Sequence, residues 1–536
     1  MSRVVVIGAG VAGLATAGLL AREGHQVRVL EKNERIGGRA GSVDEGGFRF
    51  DTGPSWYLMP RVFDHFFAMM GTSTERELEL TLLDPGYAVF GEPASPEDAS
   101  DPVLIPRGED AVVRLFDRLE PGAGAALRSH LASARHAGEM AEKYFLYNPY
   151  TRASTLVRSE VLRGGAQLAR LLFTKLDAYV ARRFAHPLIR QVLGYPAVFL
   201  GTHPAQAPAM YHLMSALDLD EGVQYPQGGF WRIVQRIESL ALEAGAAMQT
   251  GAEALRIETA PTGSGRRGHR VTGVRWRDRN GTEHVEPADI VVSAADLHHT
   301  ETVLVDAARR SFPERWWRRR TSGPGAVLVM LGVSGSLPQL PHHSLFFTRD
   351  WDANFDAIFG DSPRIPSPAS VYVCRPSATD TTVAPADHEN LFILIPVPAD
   401  TGLGAGGREG TGDPSIEAAA DAAINQVARW AGIPDLRRRI VWRETTGPAD
   451  FARDYHSWRG GMLGPAHTLR QSAMFRAQNQ SRRIRHLYYA GATTAPGVGV
   501  PMCLISAELV LKRIRGDHRS GPLEEPAPAT ADGARR

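Results

Sequence analysis

Val4-Val5-Val6-Ile7 is a short, continuous apolar run, the pattern of a strand buried on both faces. Gly8-Ala9-Gly10-Val11-Ala12-Gly13 interrupts it. Leu14, Ala15, Ala17, Gly18, Leu19 and Leu20 then continue as a helix of small and apolar residues. Gly24 stops that helix, and Gln26–Leu30 reads as a second strand with Glu31 at its end. Further on, Gly46–Asp51 alternates like a strand, and the chain from Val112 to Leu240 is mostly helical. The turn Tyr225-Pro226-Gln227-Gly228-Gly229-Phe230 precedes a helix over Trp231–Ala244, and a strand follows over Gly251–Ile257. Pro261–His269 is a polar hairpin insertion, and Ala288–Asp296 is a returning strand. Gly325–Val333, Ser370–Cys374 and Leu391–Val397 predict a second sheet, with a helix over Ile416–Trp430. Asp400–Asp413 is Gly-rich and is expected to be mobile. The last ordered stretch is a strand, Ile484–Gly491, then a loop, then an apolar helix over Met502–Ile514 entered through Pro501. The polar, Pro/Ala-rich stretch from Gly516 to Arg536 predicts disorder.

The chain has 536 residues, enough for two or three domains, and its 43% of hydrophobic residues can fill a sizeable core. A net charge of +1 gives no global argument for nucleic acid. The two cysteines, Cys374 and Cys503, lie far apart, which excludes a disulfide framework or a cysteine metal cluster and fits a reducing cytoplasm. The adjacent His298 and His299 point in different directions on a helix, so no metal site is expected there. The first apolar run is already a strand, which argues against a signal peptide, and no run reaches the length of a spanning helix. Local charge is more informative. Between 152 and 190, Arg and Lys outnumber acids and alternate with Leu, Val, Phe and Tyr, the pattern of a basic amphipathic helix in a membrane interface. A solvated helical face over a core is the other reading of the same pattern. Glu314–Arg320, with its paired Trp and basic cluster, could act as a second interfacial anchor.

Candidate chemistry begins at the glycine loop. Gly8 allows the tight turn, Gly10 lets a pyrophosphate approach the backbone, and Gly13 lets the helix lie close to the strand. The helix N-terminus offers N–H groups to phosphates, and Glu31 can accept from both hydroxyls of a ribose. Glu31-Lys32-Asn33-Glu34-Arg35-Ile36-Gly37-Gly38-Arg39 follows directly. Here two glycines bring backbone amides close, and Arg39 supplies a cationic fork.

This segment resembles the Arg-x-Gly-Gly-Arg motif of the large flavoprotein group that includes amine oxidases and carotenoid desaturases. The resemblance implies FAD, with Lys32, Arg35, Gly38 and Arg39 at its diphosphate. Asp51-Thr52-Gly53-Pro54, the Tyr225–Gly229 turn and the closing Gly491–Pro501 segment are similar to the carotenoid-desaturase form, over Met1 to about Arg515. The resemblance places Gly53 and Pro54 beside the flavin ring, Ala254 at the adenine, and Gly491, Gly499, Val500 and Pro501 around the flavin. A helix aimed at its pyrimidine edge would stabilise charge there. Trp56, Tyr57 and Met59 would line an apolar entrance, with ordinary core packing as the other reading. Cys503 is read as core, without covalent attachment to flavin.

The implied fold is α/β: a Rossmann-like FAD domain from 1–90, 225–300 and 440–515, with an inserted α+β substrate domain from 91–224 and 301–439. The implied activity is stepwise desaturation of 15-cis-phytoene to lycopene. Alternatives are a C30 or hydroxylated carotenoid substrate, an amine or porphyrinogen oxidase on the same scaffold, or a prenyl-binding escort protein. Partners are then the polyene, a quinone or oxygen as electron acceptor, and the inner face of the cell membrane, with no nucleic acid. No side chain declares itself as the proton acceptor.

Overall fold

The computed structural model describes residues 1–95, 97–152, 165–263 and 268–526, the side chains of 165–168 excepted. Its first layer is a parallel sheet built on the opening apolar run. Strands β1 (Arg3–Ile7), β2 (Gln26–Leu30), β3 (Ala247–Gln249), β4 (Ile290–Ser293) and β5 (Leu487–Tyr489) pair in the order β5-β4-β1-β2-β3. Helices α1 (Val11–Arg22), α2 (Trp231–Glu243) and α3 (Val500–Arg515) cover one face. Helix α1 is buried from Val11 to Ala21 between the sheet and its neighbours, which explains its run of Ala, Gly and Leu. At Gly18 a Cβ would lie 3.4 Å from the Ala241 Cα of α2, so small residues set the helix spacing. The other face packs against the antiparallel sheet of Glu253–Pro261, His269–Arg277 and Glu283–Pro287. Of the expected hairpin insertion, residues 264–267 lie outside the described residues.

The second layer is a seven-stranded sheet. Its order is Ile440–Thr446, Gly325–Ser334, His388–Val397, Val371–Cys374, His343–Phe347, Tyr87–Gly91 and Val103–Ile105. Only the pairing of His343–Phe347 with Tyr87–Gly91 is parallel. The helix Pro414–Trp430 covers one face. The other face turns toward the helices between 109 and 199.

Three expected boundaries move. Tyr87–Phe90 and Ile440–Thr446, read as nucleotide-domain sequence, lie in strands of this second sheet. Leu304, Phe312 and Trp317, read as substrate-domain sequence, are buried against the nucleotide domain. The Gly-rich 400–413 stretch is fastened down: Gly406 N–H donates to Asp450 (2.6 Å), Gly407 N–H to Thr445 (2.9 Å) and Ala405 N–H to Asp413 (2.7 Å).

The tail also differs from expectation over 517–526, while 527–536 lie outside the described residues. Leu523 is 3% exposed in the main core, and its N–H donates to Glu508 (2.6 Å). His65 bridges Glu508 and Glu525, at 2.9 Å each. Lys512 is buried, and its ammonium donates to the carbonyls of Tyr147 (2.8 Å), Arg519 (2.9 Å) and Gly521 (2.5 Å). Truncation after Gly516 removes two of these three acceptors and uncovers the Leu523 site. It is expected to cost about 3–5 kcal/mol, the sum of one buried Leu and a charged-group hydrogen bond or two, read as a lower denaturant midpoint with an unchanged flavin spectrum.

Candidate active site

One cavity of about 820 Å³ runs from the glycine loop of the first sheet to the second sheet. Its polar end is built from backbone. At Gly13 a Cβ would lie 1.9 Å from the Gly8 carbonyl oxygen, so α1 can sit this close to β1 only with glycine there. Gly10 faces the cavity, where a Cβ would meet nothing nearer than 3.8 Å. Gly37 N–H donates to the Ala9 carbonyl (2.8 Å), which locks the Gly37-Gly38 turn beside the loop. The Glu31 carboxylate accepts from Ala9 N–H (2.7 Å) and Asn33 N–H (2.8 Å), and burial raises its pKa. Two lone-pair sites remain for a ribose.

Arg39 crosses the same wall. Its Nη2 donates to Ser457 (3.0 Å) and Asp296 (3.4 Å), while its buried Nε has no partner. An orphaned guanidinium N–H beside a glycine cradle fits a diphosphate. The Lys32 ammonium donates to the Arg453 carbonyl, and Lys32 lines the cavity. His299 and His456 stack face to face at 3.8 Å nearby, and burial pushes His299 down to about 3. Both imidazoles are therefore neutral at neutral pH.

The middle of the cavity is set by close approaches. At Gly53 a Cβ would lie 2.1 Å from the Arg39 carbonyl oxygen, so this glycine lets the Asp51–Pro54 segment reach the Arg39 turn. Asp51 accepts from Phe230 N–H (2.7 Å) and Trp231 N–H (2.9 Å) at the start of α2. Burial raises its carboxyl to about 6, so it is still ionised at neutral pH. Asp380 fixes the Tyr225–Gly229 turn by accepting from Tyr225 OH (3.0 Å) and Gly228 N–H (2.7 Å).

The closing loop is held from behind. Ser506 accepts from Gly491 N–H and donates to the Ala495 carbonyl, each at 3.0 Å. Asn479 donates to the Ala495 carbonyl at 2.8 Å. The buried Arg476 donates to the carbonyls of Thr494 (2.9 Å), Ala492 (2.6 Å), Pro465 and Gln471 (both 3.2 Å). Gly499, at φ +116°, then starts α3 with Pro501 in its first turn.

Gly8, Gly10, Glu31, Lys32, Gly38, Arg39, Gly53, Pro54, Ala254, Gly491, Gly499, Val500 and Pro501 thus line one cavity, as do Trp56 and Met59. Gly13 stands behind the wall. Two expectations are corrected. Arg35 is exposed and turned away, its guanidinium 3.4 Å from the Ser42 carbonyl. Tyr57 is core: it is 1% exposed and stacks on Phe63 at 4.2 Å. Successive residues of an extended segment face opposite ways, so Trp56 takes the cavity and Tyr57 the core. Cys503 packs against the main core, as expected, and also lines the cavity, with its thiol pushed up to about 11 by burial and therefore protonated. Asp296, Asp380, Ser457 and Arg476 carried no local pattern that marked them in the sequence.

The arrangement defines an FAD-binding α/β oxidoreductase. Residues 11–514 match the flavin containing amine oxidoreductase family. The chain is 37% identical to a carotenoid 3,4-desaturase of Haloarcula japonica, covering 94% of this chain and 96% of that one. It is 34% identical to a zeta-carotene-forming phytoene desaturase of Myxococcus xanthus (96% and 93%) and 32% identical to a phytoene desaturase of Fusarium fujikuroi (96% and 89%). Among solved structures, putrescine oxidase bound to putrescine superposes with a TM-score of 0.58 at 13% identity (96% and 99% covered). An oxidoreductase from Methanosarcina mazei gives 0.57 at 14% (95% and 100%), and both likenesses bear on the fold alone. The chain belongs to the carotenoid desaturases of the flavin containing amine oxidoreductase family, enzymes that use FAD to oxidise CH–CH bonds.

Proposed function

We propose that this enzyme desaturates 15-cis-phytoene stepwise to lycopene. The observation that carries the reading is the wall of the cavity beyond Pro54. Trp56, Leu58, Phe199, Leu328, Phe347 and Leu394 line it, an apolar surface suited to a long hydrocarbon. Bound FAD supplies a two-electron hydride acceptor. The chain's residues bind and orient the polyene and exclude water from it. The 37% identity to the Haloarcula protein supports a second reading, 3,4-desaturation of a carotenoid that is already conjugated.

Expression in a phytoene-accumulating host, followed by lipid extraction and chromatography, tests the substrate. A red, lycopene-like pigment is the expected result. Unchanged phytoene beside flavin-loaded protein rejects it, and lycopene is then the substrate to supply next.

We also propose that the cavity opens onto the cytoplasmic face of a membrane. Leu172, Met474 and Phe475 line one end of the cavity, and Phe173 (75% exposed) and Phe475 (58%) project from the surface there. Arg170, Lys175 and Arg470 are exposed nearby in sequence, a charge pattern suited to anionic headgroups. The apolar residues of the expected interfacial helices contribute less than their sequence suggests. Leu171, Leu176, Tyr179, Val180 and Phe184 are buried in the core, and 153–164 lie outside the described residues. Trp317, of the second expected anchor, is also buried. Among the described residues no helix is long and apolar enough to cross a membrane. The double variant Phe173→Ser/Phe475→Ser is expected to lose flotation with anionic vesicles while retaining flavin.

A further inference from the structure

Next to Pro54 the cavity wall carries a polar chain in apolar surroundings. Ser55 Oγ lies 2.5 Å from Tyr372 OH, and Tyr372 OH lies 2.8 Å from His343 Nδ1. Ser55 and Tyr372 line the cavity, and His343 is wholly buried behind them. The His343 Nε2 has no hydrogen-bond partner. The Trp56 indole, itself part of the cavity wall, stacks on the His343 ring at 5.0 Å and 25°. The other titratable groups facing His343 are His342, with ring centroids 4.4 Å apart, and Cys374, whose Sγ lies within 4.8 Å of a His343 ring nitrogen. Burial holds both imidazoles and the thiol neutral. A buried imidazole with an unpartnered nitrogen is costly to keep for packing alone. This one is wired to the cavity by two hydroxyls, each of which can donate and accept.

We propose that Ser55, Tyr372 and His343 form a proton relay that removes the proton lost from the substrate carbon and stores it on His343. The inference rests on the desaturase reading above. Loss of hydride leaves an allylic cation on the polyene. The C–H bond on the adjacent carbon then breaks, and its electron pair becomes the new C=C bond. The proton passes to Ser55 Oγ as the Ser55 proton moves to the Tyr372 oxygen and the Tyr372 proton to His343 Nδ1. The positive charge leaves the polyene and ends on an imidazolium stacked over Trp56, where the indole face stabilises it. A proton beside an allylic cation is far more acidic than an imidazolium, so a neutral, desolvated imidazole is a sufficient base. A quinone-class acceptor takes up two electrons and two protons. The transferred hydride accounts for both electrons and one proton, and the proton returned from His343 completes the balance. Tyr372 and His343 act through Ser55 and are positioning residues in this scheme.

The test uses the full-length flavoprotein with phytoene in lipid and a quinone as acceptor, under steady-state turnover with oxygen excluded. Tyr372→Phe breaks the relay, and His343→Gln accepts the Tyr372 hydrogen bond without being able to hold the proton. Both are expected to slow desaturation at least ~10²-fold with KM nearly unchanged. Both should also return phytoene with altered double-bond geometry, because a cation that cannot lose its proton rotates and recaptures the hydride. A purely structural role would raise KM and return phytoene unaltered, which overturns the proposal, as does a wild-type rate in both variants. If Tyr372→Phe does not load flavin, Ser55→Ala carries the test with the same expected isomerisation, and its absence there is equally decisive. A wild-type enzyme that leaves phytoene unchanged rejects the substrate reading instead, whereas an active wild type matched by its variants rejects the relay alone.

Discussion

Gly13→Ala is expected to give a colourless protein. Its Cβ would stand 1.9 Å from the Gly8 carbonyl oxygen and 3.2 Å from the Ala294 Cβ, so β1 and α1 must part by about the missing distance. Neither contact is the far end of a flexible side chain, so no rotamer change relieves it. The shift carries the N-terminus of α1 away from the loop, and with it the N–H groups that face the diphosphate. Flavin affinity should fall about 10²-fold or more, about 2.8 kcal/mol at about 1.4 kcal/mol per factor of ten, read as flavin lost on gel filtration. Gly10→Ala separates binding from packing. Its Cβ meets nothing nearer than 3.8 Å in the protein but enters the space a pyrophosphate would occupy. That variant is expected to fold with an unchanged denaturant midpoint and still lose flavin, whereas Gly13→Ala should lose both.

The contrast also marks what the sequence made legible. The glycine loop is readable because its demands fall on neighbouring residues: a turn, a close approach and a helix start in one short stretch. Gly53 is readable only through the resemblance of its motif, because the close approach that demands glycine there is to the remote Arg39 carbonyl. What escaped the reading joins residues remote in sequence. Arg39 needs Asp296 and Ser457, and Ser55 meets Tyr372 and, through it, His343. No local period announces such partners. Parity escaped too. Trp56 and Tyr57 are equally aromatic, and which of the two turns inward is decided by the core that Phe63 and Phe230 offer to Tyr57. The domain bounds at 90 and 440 missed because neither segment carries a local mark of the sheet it joins. The tail misled by composition. A Pro/Ala-rich segment with few apolar residues reads as disordered, yet one buried Leu, two carbonyls on a buried Lys and the His65–Glu525 contact fix its first part.

Arg476→Leu is the second variant with a large expected effect, and its two consequences separate. Arg476 is 3% exposed, and burial lowers its pKa to about 10, against a smaller raising influence of the Tyr211 hydroxyl. It stays charged at neutral pH, so the fold keeps a desolvated cation paired only with carbonyl dipoles. Removing it relieves the desolvation cost of several kcal/mol but orphans four carbonyls at about 1–3 kcal/mol each. The difference should be a modest loss of stability, about 1–3 kcal/mol by chemical unfolding. The effect on flavin has no such compensation. The carbonyls of Ala492 and Thr494 belong to the loop that lines the cavity before α3, and Arg476 ties that loop to Pro465 and Gln471. Without the tie the loop loses its register, and a positive charge fixed behind the cavity wall is lost with it. Flavin affinity is therefore expected to fall about tenfold or more, each factor of ten being about 1.4 kcal/mol. Arg476→Lys keeps the charge but cannot reach all four carbonyls. It should recover part of the affinity if charge matters beside geometry, and match Arg476→Leu if the tie alone does.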